Sequence, residues 1–183
     1  MELFKLNFGD SLEKVDMNME ELGYKKYPED QENTDNHLYF NIEAEKYAIC
    51  HIDKDFGLDD FSVHTSHETG REAFDKYYGW QAALYGQIEN LSDEPDSCNE
   101  PFYIRRYDKN LYMETGCIDI EEAVTKKYIE IPKALERGYI GFQSEWYLDD
   151  KVIALEMIPE YPNIEVSLYI THPRCITKKC YDK

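Results

Sequence analysis

The stretch from His37 to Leu91, HLYFNIEAEKYAICHIDKDFGLDDFSVHTSHETGREAFDKYYGWQAALYGQIENL, decides the fold of this chain. Apolar and polar residues alternate over positions 38–43, 47–53 and 61–65, with the period of two that is typical of strands. In the first of these segments the alternation groups Leu38, Phe40 and Ile42 on one face. The sequence therefore predicts three short strands that lead into a helix.

The second part of the same stretch predicts one long helix. Two overlapping capping boxes, Thr65 to Glu68 and Thr69 to Glu72, mark its start, because each hydroxyl can accept from a backbone N–H that has no partner within the helix. Gly79 and Gly86 each cost such a helix about 1 kcal/mol relative to alanine, so we expect another element to pack closely against them. Apolar residues recur at spacings of three and four in one stripe, which comprises Ala73, Tyr77, Trp80, Leu84, Ile88 and Leu91.

The flanking segments extend this pattern to a mixed α+β fold. Alternation over positions 4–8 predicts an opening strand, and an apolar ridge over positions 12–22 predicts a first helix that Gly23 ends. Pro132 and Gly138 bracket one short helix. We expect an N-terminal half with two helices packed on a small antiparallel sheet, and a C-terminal half that is mostly an antiparallel β-meander. The meander strands are predicted at 102–107, 111–115, 139–148, 152–158 and 164–170.

Two polar, acidic segments without periodicity, at 27–36 and 92–101, are predicted to be connections. The second one divides the chain into an α+β half, residues 1–91, and a meander half, residues 102–171, which we expect to pack as a single domain. Residues 172–183 form a basic tail. A frayed end is the simpler interpretation of this tail, and folding onto the acidic body is the alternative.

The charge balance limits the partners of this chain. Among 183 residues, 20 are Lys or Arg and 38 are Asp or Glu, which gives a net charge of -18. Such a field repels nucleic acid and anionic membranes and accelerates association with basic proteins. Direct binding of nucleic acid is therefore disfavoured, and a basic protein is the expected partner. The sequence leaves a homo-oligomer open.

The sequence also predicts a compartment. The apolar run after Met1 is interrupted by Glu2, Lys5 and Asn7, unlike a signal peptide. No segment approaches the roughly 20 apolar residues of a membrane-spanning helix, so no membrane contact is expected. The five cysteines are odd in number and include no C-x-x-C pair, which favours a reducing compartment over a disulfide framework. These observations predict a cytoplasmic protein.

The candidate catalytic residues are those of a histidine and acid cluster, His51, His64, His67 and Glu68. If the second and third strands pair, His51 and His64 can approach each other across the ladder. With Asp53 and Asp55 the cluster offers nitrogen and oxygen ligands that suit zinc or manganese. A metal-bound water, or two histidines acting as acid and base, could then cleave a phosphodiester bond. The spacing fits no established ligand pattern, so whether a metal binds is unknown and no cofactor is required.

Acidic residues form the candidate binding surfaces. Glu13, Asp16 and Glu20 recur along one face of the predicted first helix. A second group lies in the segment after the second strand of the His37 to Leu91 stretch and comprises Asp53, Asp55, Asp59 and Asp60. Sixteen tyrosines supply residues that often anchor protein interfaces.

Charge and tyrosine content together favour a binding protein over an enzyme. The leading hypothesis is an acidic cytoplasmic inhibitor of a basic nucleic-acid-handling protein, such as a nuclease or a nucleoprotein complex. In composition such a chain is similar to phage anti-restriction and anti-CRISPR proteins and to immunity proteins of nuclease toxins, and no motif carries this similarity. The alternative is a nuclease or phosphodiesterase that acts on RNA or DNA through the histidine and acid cluster. A nucleophilic cysteine at Cys50 or Cys117 is less favoured, because thiols within strands are commonly buried and inert.

Overall fold

A computed structural model of the chain describes residues 5–28, 35–88, 91, 101–107, 110–113, 131–136, 138 and 140–175. Their secondary structure is mixed α+β, as the sequence predicts. The helices are α1 (Leu12–Glu21), α2 (Gly70–Gln87) and α3 (Ile131–Glu136). The strands are β1 (Lys25–Lys26), β2 (Asn36–Asn41), β3 (Lys46–Asp53), β4 (Gly57–His67), β5 (Pro101–Tyr107), β6 (Asn110–Met113), β7 (Ile140–Tyr147), β8 (Val152–Glu160) and β9 (Asn163–Thr171).

The chain divides into two compact units, and each takes residues from both halves of the sequence. Unit 1 comprises Met1–Thr65, Tyr147–Ile153 and Leu168–Lys183, and unit 2 comprises Ser66–Trp146 and Ala154–Ser167. The predicted division of the chain between residues 91 and 102 stays a prediction, because residues 92–100 lie outside the described part of the chain.

Unit 1 contains the strand order β1-β2-β3-β4-β9, in which β1 to β4 pair antiparallel. Opposite β3, the residue facing His51 is Asp60, whereas the residue facing Ile52 is Leu58. This shift of register is a β-bulge at Asp59. Acidic residues 59 and 60 therefore belong to a strand, and only Lys54 to Phe56 form the turn before it.

The turn depends on a close approach of two backbone segments. Gly57 has φ +94°, and a Cβ at this position would lie 2.7 Å from the carbonyl oxygens of Gly9 and Asp10. The Gly9 N–H donates to the Leu58 carbonyl, and the Leu58 N–H donates to the Asp10 carbonyl, both at 2.8 Å. The opening strand predicted over residues 4–8 is wrong for the described residues 5–8, because Gly9 and Asp10 close a turn here. Asp10 Oδ2 accepts the Asn7 backbone N–H at 3.1 Å.

The first helix is confirmed, with Val15 and Met19 fully buried. It ends where the sequence predicts, since Gly23 has φ +80° and its N–H donates to the Glu20 carbonyl. The strand β2 alternates as expected, but its deeply buried residues are His37 and Tyr39, whereas the apolar Leu38 and Phe40 are only partly buried. The physical reason lies on α1, where Asp16 accepts a hydrogen bond from the Tyr39 hydroxyl at 2.6 Å.

Unit 2 is built on α2, which begins at the second capping box. Thr69 is the N-cap residue, and its hydroxyl accepts the Glu72 N–H at 3.2 Å. The Gly70 N–H donates to the Glu136 carboxylate of α3 at 2.8 Å. A Cβ on Gly70 would lie only 2.2 Å from the Pro132 carbonyl oxygen. Ala73, Tyr77, Trp80 and Leu84 of the predicted stripe are buried.

The expected close packing against Gly79 and Gly86 is not found within the described residues. Both glycines are exposed, and no described atom lies within 4 Å of a Cβ built on either one. Their cost in helix propensity is therefore not offset by a backbone contact within the described residues.

The strands of unit 2 follow the order β9-β8-β7-β5-β6. Residues 163–167 of β9 belong to unit 2, and residues 168–171 belong to unit 1. The hairpin of β5 and β6 is confirmed, with Tyr107 opposite Asn110. The strand next to β7 is β5, with Pro101 opposite Phe142, so the sheet is not a simple meander. Strands β7, β8 and β9 supply the buried side chains of this unit, among them Phe142, Trp146, Leu155, Met157, Ile164 and Val166.

Candidate functional site

The exposed face of α1 carries part of the first acidic group. Glu13 and Glu20 are exposed, and Met17 lies between them with 57% of its surface accessible. Spacings of four and three residues place these three side chains on one face of the helix. Asp16 is instead directed toward the sheet, where it accepts from Tyr39 and forms an ion pair with Lys26 at 3.2 Å. We call Glu13, Met17 and Glu20 the α1 face.

The residues of the second acidic group differ in their contacts and in their exposure. Asp53 Oδ1 accepts the backbone N–H groups of Asp55 and Phe56, both at 2.9 Å, and so shapes the turn between β3 and β4. Asp60 accepts the hydroxyl of Thr171 at 3.3 Å. Only Asp55 of this group is exposed. The group therefore does not form one continuous acidic surface.

Asp59 is the most deeply buried member of the group, with 3% of its surface accessible. The β-bulge turns its carboxylate toward His51, whose Nδ1 lies 2.5 Å from Asp59 Oδ1. His51 is more exposed than its partner, and its Nε2 has no hydrogen-bond partner among the described residues. A buried carboxylate that binds Nδ1 fixes the orientation of the ring and leaves Nε2 directed elsewhere, which is the arrangement of a histidine that can exchange a proton.

A turn at the C-terminal end of β9 completes this region. The Arg174 guanidinium lies 3.1 Å from Asp53 Oδ2 and 4.0 Å from Asp59 Oδ2, and it covers the Phe56 ring at 4.1 Å. The His172 N–H donates to the Asp59 carbonyl at 2.8 Å. The sequence prediction offered folding of the basic tail onto the acidic body only as an alternative, and it named neither Arg174 nor His172 as a site residue. Its only indication was the change of charge sign after Thr171, and residues 176–183 of the tail lie outside the described part.

The other predicted catalytic residues do not join His51. His64 faces Tyr47 in the register of β3 and β4, four positions along the ladder from His51, so the expected approach of the two histidines is wrong. His64 is buried, stacks on the Tyr47 ring at 4.5 Å, and lies 2.7 Å from the Ser62 hydroxyl. This environment is that of a core histidine.

His67 and Glu68 belong to unit 2. His67 ends β4 and is partly buried beside Trp80 in a groove along α2. Glu68 is exposed in the bend before α2.

No group of three or more His, Cys, Asp or Glu side chains in the described residues is arranged to hold a metal ion. The described residues therefore give no geometric support to the sequence hypothesis of a zinc or manganese site over residues 51–68. None of the helices in the described residues is long and apolar enough to span a membrane.

The described cysteines are buried free thiols. Burial, reinforced by the negative charges of Asp16 and Asp60, raises the pKa of the Cys50 thiol to about 12. Burial also raises the pKa of Cys175 to about 12, and the hydrogen bond of its thiol to Asp59 adds to this effect. Both groups are protonated at neutral pH and are poor nucleophiles. Cys117 lies outside the described residues.

Unit 1 also contains a cavity of about 360 Å³. Four aromatic rings line it, those of Phe8, Phe56, Phe61 and His172, and its polar lining includes Asp150 and Lys151. We call it the aromatic cavity. No sequence pattern indicated it, because its walls come from the first turn, the turn between β3 and β4, the turn between β7 and β8, and the end of β9.

Comparison of the chain with protein-family models, with curated proteins and with solved structures found no match.

Proposed function

We propose that this chain is an acidic inhibitor protein that docks on a basic nucleic-acid-handling protein, a nuclease or a nucleoprotein complex. The observation that carries the proposal is the α1 face, where an exposed methionine lies between two exposed glutamates. Protein interfaces commonly combine an apolar anchor with a charged, water-accessible rim. The net charge of -18 adds long-range attraction for a basic partner.

The proposal includes fewer contact residues than the sequence hypothesis. Asp16, Asp53, Asp59 and Asp60 already make hydrogen bonds or ion pairs within unit 1, so using them for a partner would break those contacts. Glu13, Glu20 and Asp55 are exposed and can meet a partner without such a loss. We include a cytoplasmic location in the proposal, which the free thiols of Cys50 and Cys175 favour.

The test compares two charge reversals of equal size. In the variant E13K/E20K the α1 face becomes basic, and in the control E43K/E160K two exposed glutamates outside this face are reversed. Each tagged protein is incubated with bacterial lysate at low salt and eluted with a salt gradient, and the nuclease activity of each eluted protein is assayed with and without the tagged chain. We expect the wild type and the control to retain and inhibit one basic protein. We expect the E13K/E20K variant to lose it.

Circular dichroism checks that E13K/E20K is folded, since a lysine in the first turn of α1 opposes the helix dipole. M17A then separates the anchor from the charges. Loss of an apolar anchor raises the dissociation rate, whereas loss of charge lowers the association rate and its salt dependence. The proposal is contradicted if E13K/E20K retains the partner as well as the control does. It is also contradicted if the wild type retains no protein that it inhibits.

A second candidate function, phosphodiester cleavage, is supported by one observation, the buried Asp59 that orients half-exposed His51. In this candidate His51 Nε2 takes a proton from the attacking oxygen, which is the 2′-hydroxyl of RNA or a water molecule. As the new P–O bond forms, the bond from phosphorus to the leaving oxygen breaks, and that oxygen takes a proton from solvent. Arg174 lies near the same carboxylate as a cation. The test incubates fluorescent RNA and DNA strands with wild type, H51Q and the control H67Q. Cleavage that H51Q loses and H67Q keeps supports this candidate, and cleavage that H51Q retains excludes it.

A further inference from the structure

The aromatic cavity is a site that the proposed inhibitor function does not use. Its volume of about 360 Å³ falls within the range of small-molecule sites, about 300 to 1,000 Å³. Its floor is apolar, since Phe61 and Ile170 are almost completely buried. Its mouth carries the polar residues Asp150 and Lys151. An apolar floor with a few polar groups at the edge is the usual composition of a ligand site.

The walls favour a flat ligand. The His172 ring lies 5.0 Å from the Phe8 ring and 5.0 Å from the Phe56 ring, and Phe8 lies 6.3 Å from Phe61. These distances are contacts between neighbouring rings, so the four side chains form a continuous aromatic lining on one side of the cavity. Aromatic side chains bind planar rings by stacking or by edge-to-face contact, and stacking of a base on such a side chain contributes about 1–3 kcal/mol.

The edge of the cavity offers both hydrogen-bond donors and an acceptor. His172 Nδ1 accepts the Arg174 backbone N–H at 3.2 Å, so the neutral imidazole carries its proton on Nε2. This Nε2 has no hydrogen-bond partner among the described residues. Lys151 adds an ammonium donor and Asp150 a carboxylate acceptor, and these two groups lie 3.0 Å apart. A heteroaromatic ring with donors and acceptors on its edge complements this set.

The charges select a neutral ligand. A net charge of -18 opposes the entry of an anion, and the opposite charges of Lys151 and Asp150 in the lining neutralise each other. We propose that the aromatic cavity binds a neutral, planar heteroaromatic molecule of nucleobase to nucleoside size. This chemistry is shared by a free nucleoside and by an unpaired base of a nucleic-acid strand, and the net charge favours the free nucleoside because a strand is an anion. The proposal does not depend on the inhibitor function, because the α1 face contributes no residue to the cavity.

The experiment titrates the full chain with adenosine, guanosine, cytidine and uridine, and measures binding by calorimetry and by amide chemical shifts. We expect saturable binding of at least one nucleoside, with the largest shift changes at residues 7–8, 56–61, 150–151 and 170–172. F8L removes one ring and keeps an apolar side chain, so it should weaken binding about tenfold, the loss of one stacking contact. F40L is the matched control, since Phe40 is partly buried in the same unit but lies outside the cavity. It should bind like the wild type.

Two further probes distinguish the sources of the ligand. Adenosine monophosphate should bind more weakly than adenosine, because its phosphate meets the negative field. A single-stranded oligonucleotide that binds more tightly than the nucleosides, and that F8L weakens, assigns the cavity to an unpaired base of a strand. If the oligonucleotide binds more weakly than the nucleosides, the cavity is assigned to a free nucleoside. The proposal is overturned if no nucleoside binds saturably to the wild type, if F8L and F40L bind alike, or if the monophosphate binds more tightly than adenosine.

Discussion

Asp59 is a hydrophilic residue in an acidic segment of the sequence, yet it is almost completely buried beside His51. A buried carboxylate is stable only when cations or hydrogen-bond donors surround it. His51 and the more distant guanidinium of Arg174 supply this compensation. Asp16 is more exposed, with 38% of its side chain accessible, and Tyr39 and Lys26 bind its carboxylate. At the residue scale, therefore, several acidic side chains of this chain stabilise unit 1 and are not part of its free surface.

The raised pKa of the Cys50 thiol predicts a loss of folding stability at alkaline pH. Its pKa in the folded protein is about 12, above the value of about 8.5 in an unfolded chain. Its contribution to stability is therefore complete below about pH 8.5 and is lost as the pH rises toward 12. Above about pH 9 this group should lower the free energy of unfolding by about 1.4 kcal/mol per pH unit.

Denaturant unfolding of wild type and C50A, under reducing conditions at several values between pH 7 and 10.5, measures this contribution. Tyrosine and lysine titrations are common to both proteins and cancel in the difference. We expect the wild type to lose stability faster than C50A above pH 9. Parallel pH profiles for the two proteins would show that the thiol does not titrate with a raised pKa.

At the scale of elements, α2 contains glycines with opposite roles. Gly70 lies at the N-terminus against Pro132, where a Cβ would be 2.2 Å from a carbonyl oxygen. Gly79 and Gly86 are exposed, and no other described element lies within 4 Å of a Cβ built on either one. The local sequence cannot distinguish these cases, because the distinction depends on α3, more than 40 positions away in the chain.

Alanine substitutions test this distinction. G79A and G86A should each stabilise the protein by about 1 kcal/mol, the difference in helix propensity between the two residues. G70A should destabilise it, since the backbone of Pro132 must move. Thermal unfolding followed by circular dichroism gives all three values. Destabilisation by G79A or G86A would mean that the surface of α2 is covered by a contact outside the described residues.

At the scale of the whole molecule, the charge of -18 opposes compaction as well as attracting cations. Positive residues offset it only locally, for example Arg174 between Asp53 and Asp59. Raising the ionic strength from about 0.01 M to about 0.15 M shortens the Debye length from about 30 Å to about 8 Å. Repulsion between distant carboxylates is then mostly screened.

We therefore expect the melting temperature to rise with sodium chloride over this range. The E43K/E160K variant is less negative and should show a smaller increase, because each reversal changes the net charge by two units. Differential scanning calorimetry at matched pH measures both proteins. A melting temperature that is independent of salt, or equal increases in the two proteins, would refute a dominant role for self-repulsion.

The local structure was largely predictable from the sequence. The Thr69 capping box, the Gly23 helix end and the alternation of β3, β8 and β9 all correspond to the structure. Capping and periodicity depend on residues within a few positions of one another, so one short window contains the information. The mixed α+β class followed from the same patterns.

The candidate sites depended on the tertiary structure. The sequence named His51 and the nearby acidic residues as candidates, but it paired His51 with His64, which lies four positions away along the ladder. The actual partner, Asp59, is set by a β-bulge, and periodicity cannot locate one extra residue in a strand.

Local sequence patterns thus predicted most of the helices and strands, the class of fold and the negative charge of this protein. The folded structure was needed to show which acidic side chains are exposed, which histidine contacts a carboxylate, and where a cavity lies. The physical reason is the distance along the chain between the residues in contact. Cys175 and Asp59, for instance, are 116 positions apart, and contacts of this kind form only when the sheet brings separate strands together.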